Sequence, residues 1–562
     1  MPLDPNDSAQ RITDAQAKGT LATVKTYLSL SGPGWLQSAI TLGGGSLAGA
    51  LFLGVVGGYS MLWVQMCAIL MGVIMLAAIS YVSLSTDESV FQGMRTHINP
   101  VLAWGWILAT LAANMVWSLP QFSLAYGALT ENIAPDLFPN ASSLATKLTV
   151  SIVILAIVTS ITFLYGSKGI GIRIYETLLK IIVGVIVLSF IGVTIKLALT
   201  DNGLPFGEII SGFIPNPSLI FQPSDSYQAF LDTITNPEAR AFWTDTVLGK
   251  QRDVIVAAAS AAVGINMTFL LPFSMRAKGW GKKHRGLAIF DLSTGMVVPF
   301  LIATACIVIA SGTLFHAQPY DGVLVEENGV LTLTTDASLA PQAGQINSMF
   351  TSRVITSDTL AAAPVEPGEL RIAAMLLNRS NMQFATSLEP LVGGTMAHFV
   401  FGVGVVAMAL SSISILMLIS GFVICEMFGY PHGGIQHKLG TLAAATGILW
   451  PVLWSGPSVA YLAVPTSVFG YTLLPVAFLA FFLMMNSKKL LGDSRPEGRS
   501  RIIWNTLMGV SLLVTGTASV STAWSKTIGD FDIGKFFLIT FGLAIIAGHF
   551  YLKKKHKDSA VL

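Results

Sequence analysis

Long apolar runs, separated by polar stretches, dominate this chain. Twelve of them approach or exceed the ~20 residues that carry a helix across a ~30 Å hydrocarbon core. They lie at 31–56, 60–84, 100–129, 147–166, 172–199, 254–275, 286–312, 393–427, 437–456, 459–485, 502–523 and 534–552. An even number of spans leaves both ends of the chain on one side. The connecting loops fall into two alternating sets. One set comprises the N-terminal stretch, Arg95, Lys168, Arg173, the cluster Arg276, Lys278, Lys282, Lys283 and Arg285, the run Lys488, Lys489, Arg495, Arg499 and Arg501, and the tail Lys553–Lys557. It holds most of the 32 Lys and Arg. The other set is longer and carries few. Basic residues accumulate on the cytoplasmic side, so both termini are expected there, with the plasma membrane as the location.

Composition fits this pattern. The 562 residues are 53% hydrophobic and 11% charged, too few charges to coat a water-soluble globule. The bilayer is the expected solvent. A net charge of +2 argues against nucleic acid as a partner. Cys67, Cys306 and Cys425 all lie in apolar runs and read as small buried hydrophobes rather than a disulfide set or a zinc site. Residues 1–25 are polar and lack the apolar core of a signal peptide, so the N-terminus is expected to start as a loose tail. The loops 200–253 and 313–392 are rich in Pro, Ser, Thr and Asp, and 323–334 alternates like a small hairpin. They predict an extracytoplasmic cap.

Two spans carry breaks. In the first, Gly43, Gly44, Gly45 and Ser46 occupy the middle. Each glycine weakens a helix interior by about 1 kcal/mol relative to alanine, and an unpaired peptide group in lipid costs several kcal/mol more. Such a run persists where freed backbone groups face protein, water or a ligand, or where glycine lets helices pack closely. In the sixth span Gly264, Asn266 and Thr268 lie at mid-membrane, with Pro272 following. Proline removes a backbone donor and clashes with the preceding turn. Five spans separate the two breaks, the spacing of paired five-helix inverted repeats.

Several segments resemble the Nramp metal transporters, which share the LeuT-type fold. Gly32-Pro33-Gly34-Trp35-Leu36 followed by Gly58-Tyr59-Ser60-Met61-Leu62-Trp63 is similar to the family's GPxFL…GYxxLW frame. Phe401-Gly402 through Ser411-Ser412 to Glu426 resembles its eighth helix, and Leu474-Pro475-Val476 through Asn486 to Gly492 the end of its tenth. The resemblance implies an all-α membrane protein of 5+5 inverted-repeat architecture plus two extra helices. Its parts would be a cytoplasmic tail 1–30, a first repeat 31–199, a loop 200–253, a second repeat 254–485 with the insertion 313–392, and helices eleven and twelve with the tail in 486–562. The site departs from the family. Its first-helix DPGN motif falls on Gly43–Ser46, and its sixth-helix MPHN on Gly264, Ile265, Asn266 and Met267, which displaces the thioether. The third span carries no acid over residues 109–121.

A site of Gly43, Gly44, Gly45, Ser46, Gly264, Asn266 and Thr268 is neutral. A dehydrated divalent cation usually meets carboxylate, whereas glycine amides at a half-helix N-terminus favour an anion. The expectation is therefore a secondary transporter for a small anionic or zwitterionic organic solute such as an amino acid. The alternatives are a divalent metal transporter with a carboxylate-free site, and a channel or non-transporting homologue. Ser411 and Ser412 are the candidate coupling-ion residues, for Na+ or H+, and no other cofactor is expected. Asp291 and Glu426 are candidate gate residues, although Asp291 also suits a pair with the nearby basic loop. Glu176 and Lys180, four apart on the fifth span, suit a structural pair. His398 reads as a satisfied polar residue. Asn114 and Gln121 either line the pathway or bond across helices. No HExxH, paired aspartates or GxSxG lies within a span, so an enzyme is not expected. Oligomeric state stays open.

Overall fold

A computed structural model describes residues 5–559, except most of 166–189 and residues 200–202, 328, 387–388, 390–392, 455 and 457. Among the described residues nine helical stretches are long and apolar enough to cross a membrane. One of them, Gly44–Ser83, covers two expected spans. It reverses at Gly58, whose φ of +58° suits glycine, through the short turn Gly58–Met61. The returning helix Leu62–Ser83 brings Ser85 back to the basic end, where its hydroxyl accepts from Arg285. The expected fifth span, with Glu176 and Lys180, lies largely outside the described residues.

The first span is two helices, Pro33–Thr41 and Gly44–Gly57. Gly43 between them is extended, with φ −88° and ψ −179°. The sixth span is likewise Pro237–Ala262 and Ile265–Ala277, with Val263 and Gly264 extended. Its outer helix starts well before residue 254, because Asn236 caps it by accepting from the amides of Glu238 and Ala239. Pro272 is accommodated inside the inner helix; the break falls at the glycine instead. The third span, Pro100–Gly127, starts at Asn99, whose side chain accepts from Val101 and Leu102. The eighth is the 35-residue helix Gly394–Phe428. The ninth is irregular: helix Ile435–Thr441 gives way to a 3₁₀ stretch Leu442–Leu449. Such runs rarely exceed four residues. Here Gly447 sits directly against Phe122 and Ser118 of the third span, a closeness that no side chain would permit.

The two long loops fold into one cap with its own core. Tyr227, Leu231, Trp243, Val323, Ile346 and Ile372 are buried together. The hairpin expected at 323–334 is present, pairing Leu324–Glu327 with Val330–Leu333 in antiparallel register. At the centre Glu369 accepts from Arg353 Nε at 2.6 Å and from Trp243 Nε1 at 2.7 Å. Both charged side chains are at most 1% exposed. The N-terminus is not a loose tail. It forms helices Pro5–Ala17 and Thr20–Leu30. They bury Ile12, pack Tyr27 against Phe290 at a tilt of 58° with ring centroids 5.5 Å apart, and bring Ser8 Oγ within 2.9 Å of His284 Nε2. The polar composition conceals this because only one narrow face is apolar.

Removing one partner of a buried ion pair leaves the other uncompensated, at a cost of about 3–5 kcal/mol. Glu369→Ala should therefore open the cap while sparing the bundle. Hydrogen–deuterium exchange should lose protection over 225–247 and 320–377, which hold the cap core, and keep it in the membrane helices.

Candidate functional site

The two breaks face each other at the centre of the bundle. Each leaves the last carbonyls of one helix and the first amides of the next without partners in their own helix. Ser46 links them: its hydroxyl lies on the carbonyl of Thr41, at the end of the first half-helix, and 3.1 Å from that of Ala261, near the end of the other. Met267 links them as well. It occupies the third position of the helix that restarts after Gly264, and helical side chains lean toward the N-terminus. Its sulfur is thereby carried back over the break, 3.4 Å from the Gly264 amide and 3.6 Å from the Thr41 hydroxyl.

Between the breaks is a cavity of about 60 Å³. Gly45, Ser46, Gly264, Asn266 and Met267 line it from the broken spans, Trp117 and Gln121 from the third, Ser412 from the eighth and Ser467 from the tenth. None of the described residues that line it is ionisable. Among the described residues, Asn266 Oδ1, Gln121 Oε1 and Ser412 Oγ are buried and have no hydrogen-bond partner. Buried polar atoms are normally paired, so three free oxygens around one small space mark it as a place for a polar or charged guest. Glycine makes the space. A Cβ on Gly43 would land on Ser412 Oγ, and one on Gly44 would meet Gln121 Oε1 at 2.5 Å. The Trp117 ring is wedged between Gly264 and Gly470, with its indole N–H donating to Thr466 O at 3.1 Å.

Most of the residues expected from sequence converge here, and some do not. Gly45, Ser46, Gly264 and Asn266 line the cavity, while Gly43 and Gly44 form its backbone edge. Thr268 does not line it. Its hydroxyl donates to Ile265 O and accepts from Trp106 Nε1 at 2.9 Å, which fixes the restarted helix to the third span. The serine pair divides, because adjacent helical residues point about 100° apart. Ser412 faces the cavity, whereas Ser411 donates to Met408 O within its own helix. Asp291 caps as well as facing the basic loop: its carboxylate accepts from the amides of Gly32 at 3.1 Å and Gly34 at 2.6 Å, at the positive end of helix Pro33–Thr41, and interacts electrostatically with Lys278. Lys278 Nζ packs against Gly32 beside it. Glu426 accepts from the Ser89 hydroxyl and shares a small inner cavity with Arg276, Phe269 and Phe273. His398 is satisfied by Glu389 at 2.8 Å and Asn132 at 3.3 Å. Asn114 bonds across to Ser420 at 3.2 Å, so of the third-span pair only Gln121 reaches the cavity.

Sequence reasoning missed Met267 and Trp117. The motif alignment displaced the thioether by three residues. The signal that could have found it was its place three residues after a helix-restarting glycine. Trp117 carried no local signal, since only the fold opposes it to Gly264 and Gly470.

Comparison with known proteins gives a consistent result. The profile of the family described as natural resistance-associated macrophage protein-like matches residues 34–367 and 370–522. A divalent metal cation transporter MntH from Brucella suis is 23% identical over 328 residues, 56% of this chain and 61% of that protein. The chain therefore matches somewhat under two thirds of that relative's length. Two crystal structures of the Eremococcus coleocola manganese transporter, each of a single-site mutant, superpose with a TM-score of 0.60 at 15% and 16% identity, covering 94% of both chains. At that identity the likeness establishes the fold.

The wedge predicts a specific non-additivity. The three atoms nearest to a Cβ on Gly470 all belong to the Trp117 ring. Gly470→Ala should lower the melting temperature of the purified protein, and in a Trp117→Ala background the same substitution should be nearly neutral. A double-mutant cycle on thermal unfolding reads the difference.

Proposed function

We propose, from the premise that this chain belongs to the Nramp family and has its LeuT-type fold, that it is a secondary transporter carrying a divalent transition-metal cation such as Mn²⁺ through an uncharged site. The observation that carries this reading is Met267. A thioether turned back over the break gives the cavity a soft donor, which suits a first-row transition ion better than Mg²⁺ or Ca²⁺. The free oxygens of Asn266, Gln121 and Ser412 supply the harder donors. None of these groups carries charge, so full dehydration of a divalent ion would go uncompensated. The ion therefore keeps part of its water shell. A cavity of about 60 Å³ has room for a few waters or a partly hydrated ion. It is far below the roughly 300–1,000 Å³ of pockets that enclose larger organic ligands.

The family relatives support the same class: the Brucella protein is named a divalent metal cation transporter and the Eremococcus protein a manganese transporter. Both termini are assigned to the cytoplasm by the basic loops, in the plasma membrane. For the coupling ion, the hydroxyl of Ser412 and the nearby carbonyls suit Na⁺, since no titratable side chain lines the cavity among the described residues. One observation favours a second reading, a small anionic or zwitterionic solute: the helix restarting at Gly44 directs its N-terminus, through Gly45, toward the cavity.

Flux into proteoliposomes separates the two. Mn²⁺ uptake is expected, with Met267→Ala lowering it about tenfold and Mg²⁺ uptake falling less, the loss of roughly 1.4 kcal/mol of selective binding. Amino-acid uptake without Mn²⁺ flux would overturn the metal reading and favour the second. Mn²⁺ uptake is also expected to require Na⁺; flux unchanged in Na⁺-free buffer would remove that part of the proposal.

A further inference from the structure

A second group of soft ligands lies at the other end of the eighth span, away from the central cavity. Sequence reading took Cys425 as a buried hydrophobe, and the fold gives it company. The ligand atoms of Cys425, His432 and His437 all lie within 4.8 Å of one another. The backbone is shaped to bring them together. Gly429, in the left-handed conformation at φ +70°, ends the eighth helix, and Gly433, at φ +82°, turns the chain back. The amide of Tyr430 closes the turn on Cys425 O at 2.9 Å. His437 enters from the start of the ninth span, where Gly421 leaves room for its ring; a Cβ there would stand 2.9 Å from Nε2.

Two further observations point to a ligand. His437 is only 5% exposed, yet its Nδ1 has no hydrogen-bond partner among the described residues. Cys425 is a free thiol, fully buried, that donates a long hydrogen bond to Pro431 O at 3.7 Å. His432 is exposed and gives solvent access to the group. One thiolate and two imidazoles form a donor set for a borderline-soft ion such as zinc, which is tetrahedral, with water in the fourth position when three protein ligands are supplied. Zinc bond lengths put neighbouring ligand atoms roughly 3.5 Å apart, so the three, all within 4.8 Å, need close by no more than about an ångström, a movement to which the exposed turn bearing His432 contributes. The site adjoins an aromatic stack. Phe422 lies 4.9 Å from Phe273 of the sixth span and meets the rings of His432 and His437 edge-on at 5.4 Å and 4.7 Å.

We propose that Cys425, His432 and His437 form a second metal site, selective for Zn²⁺-like ions and distinct from the central cavity, which ties the end of the eighth span to the start of the ninth beside the Phe273–Phe422 stack. It does not depend on which solute crosses the membrane. The test uses purified full-length protein in nanodiscs, with Co²⁺ as a spectroscopic substitute and Zn²⁺ as competitor. One equivalent of Co²⁺ should give tetrahedral d–d bands and thiolate-to-cobalt charge transfer, both displaced by Zn²⁺. Cys425→Ser should abolish the charge transfer. His437→Ala, and His432→Ala on the exposed turn should the buried variant fail to fold, should weaken binding at least tenfold. Met267→Ala should leave all of these signals intact, which separates this site from the transport reading. Absence of the tetrahedral bands at one equivalent of Co²⁺, or charge transfer that survives Cys425→Ser, would overturn the proposal.

Discussion

Peptide groups in a hydrocarbon layer must find their partners within the protein, and the centre of this molecule is organised around two places where helices cannot supply them. At Leu42–Gly43 and Val263–Gly264 the ladder of backbone bonds stops and restarts. The remedy is local and economical. The hydroxyl of Ser46 reaches carbonyls from both interrupted spans, and the sulfur of Met267 lies against the amide of Gly264. What these two side chains leave unfilled becomes the cavity. Its oxygens are free because the packing that stabilises the breaks does not extend to Asn266, Gln121 and Ser412.

Charge is kept away from this centre and placed where it is compensated. Asp291 lies on the amides at the start of the first span, where the helix end is positive. Glu369 and Arg353 neutralise each other inside the cap, with the Trp243 indole filling a further acceptor site. A site without fixed charge holds an ion less tightly than one with a carboxylate, and releases it with a smaller barrier. On the proposed metal reading, selectivity then comes from donor softness and from the size of the space that glycine leaves.

Most of the spans and the two breaks were legible in the sequence because the signals are strong: apolar length, glycine runs and basic loops. The hairpin at 323–334 was legible from its alternation. Harder to see was anything set by helical phase. Ser411 and Ser412 look equivalent in a string of letters, yet a rotation of about 100° sends one to the cavity and the other to its own backbone. Thr268 likewise faces Trp106 instead of the cavity. Asp291 sits near the basic loop in sequence, but its carboxylate is bound by the amides of Gly32 and Gly34 from a segment 257 residues away. Tertiary opposition of this kind leaves no trace in local composition. The meeting of Cys425 with His432 and His437 depends on two left-handed glycines whose turns cannot be inferred from the apolar pattern.

The outer helix of the sixth span joins two regions that otherwise look independent. Trp243 and Val247, near its start, belong to the cap core, and Ser260 and Ala261, near its end, form one wall of the cavity. The helix is continuous between them, Pro237–Ala262, and at 1.5 Å per residue the distance from Trp243 to Ala261 is roughly 27 Å. It therefore acts as a lever with its handle in the water. A tilt imposed on the exposed module displaces the carbonyl that Ser46 bridges, so an antibody fragment or a crosslink placed wholly outside the bilayer has a mechanical route to the mid-membrane chamber.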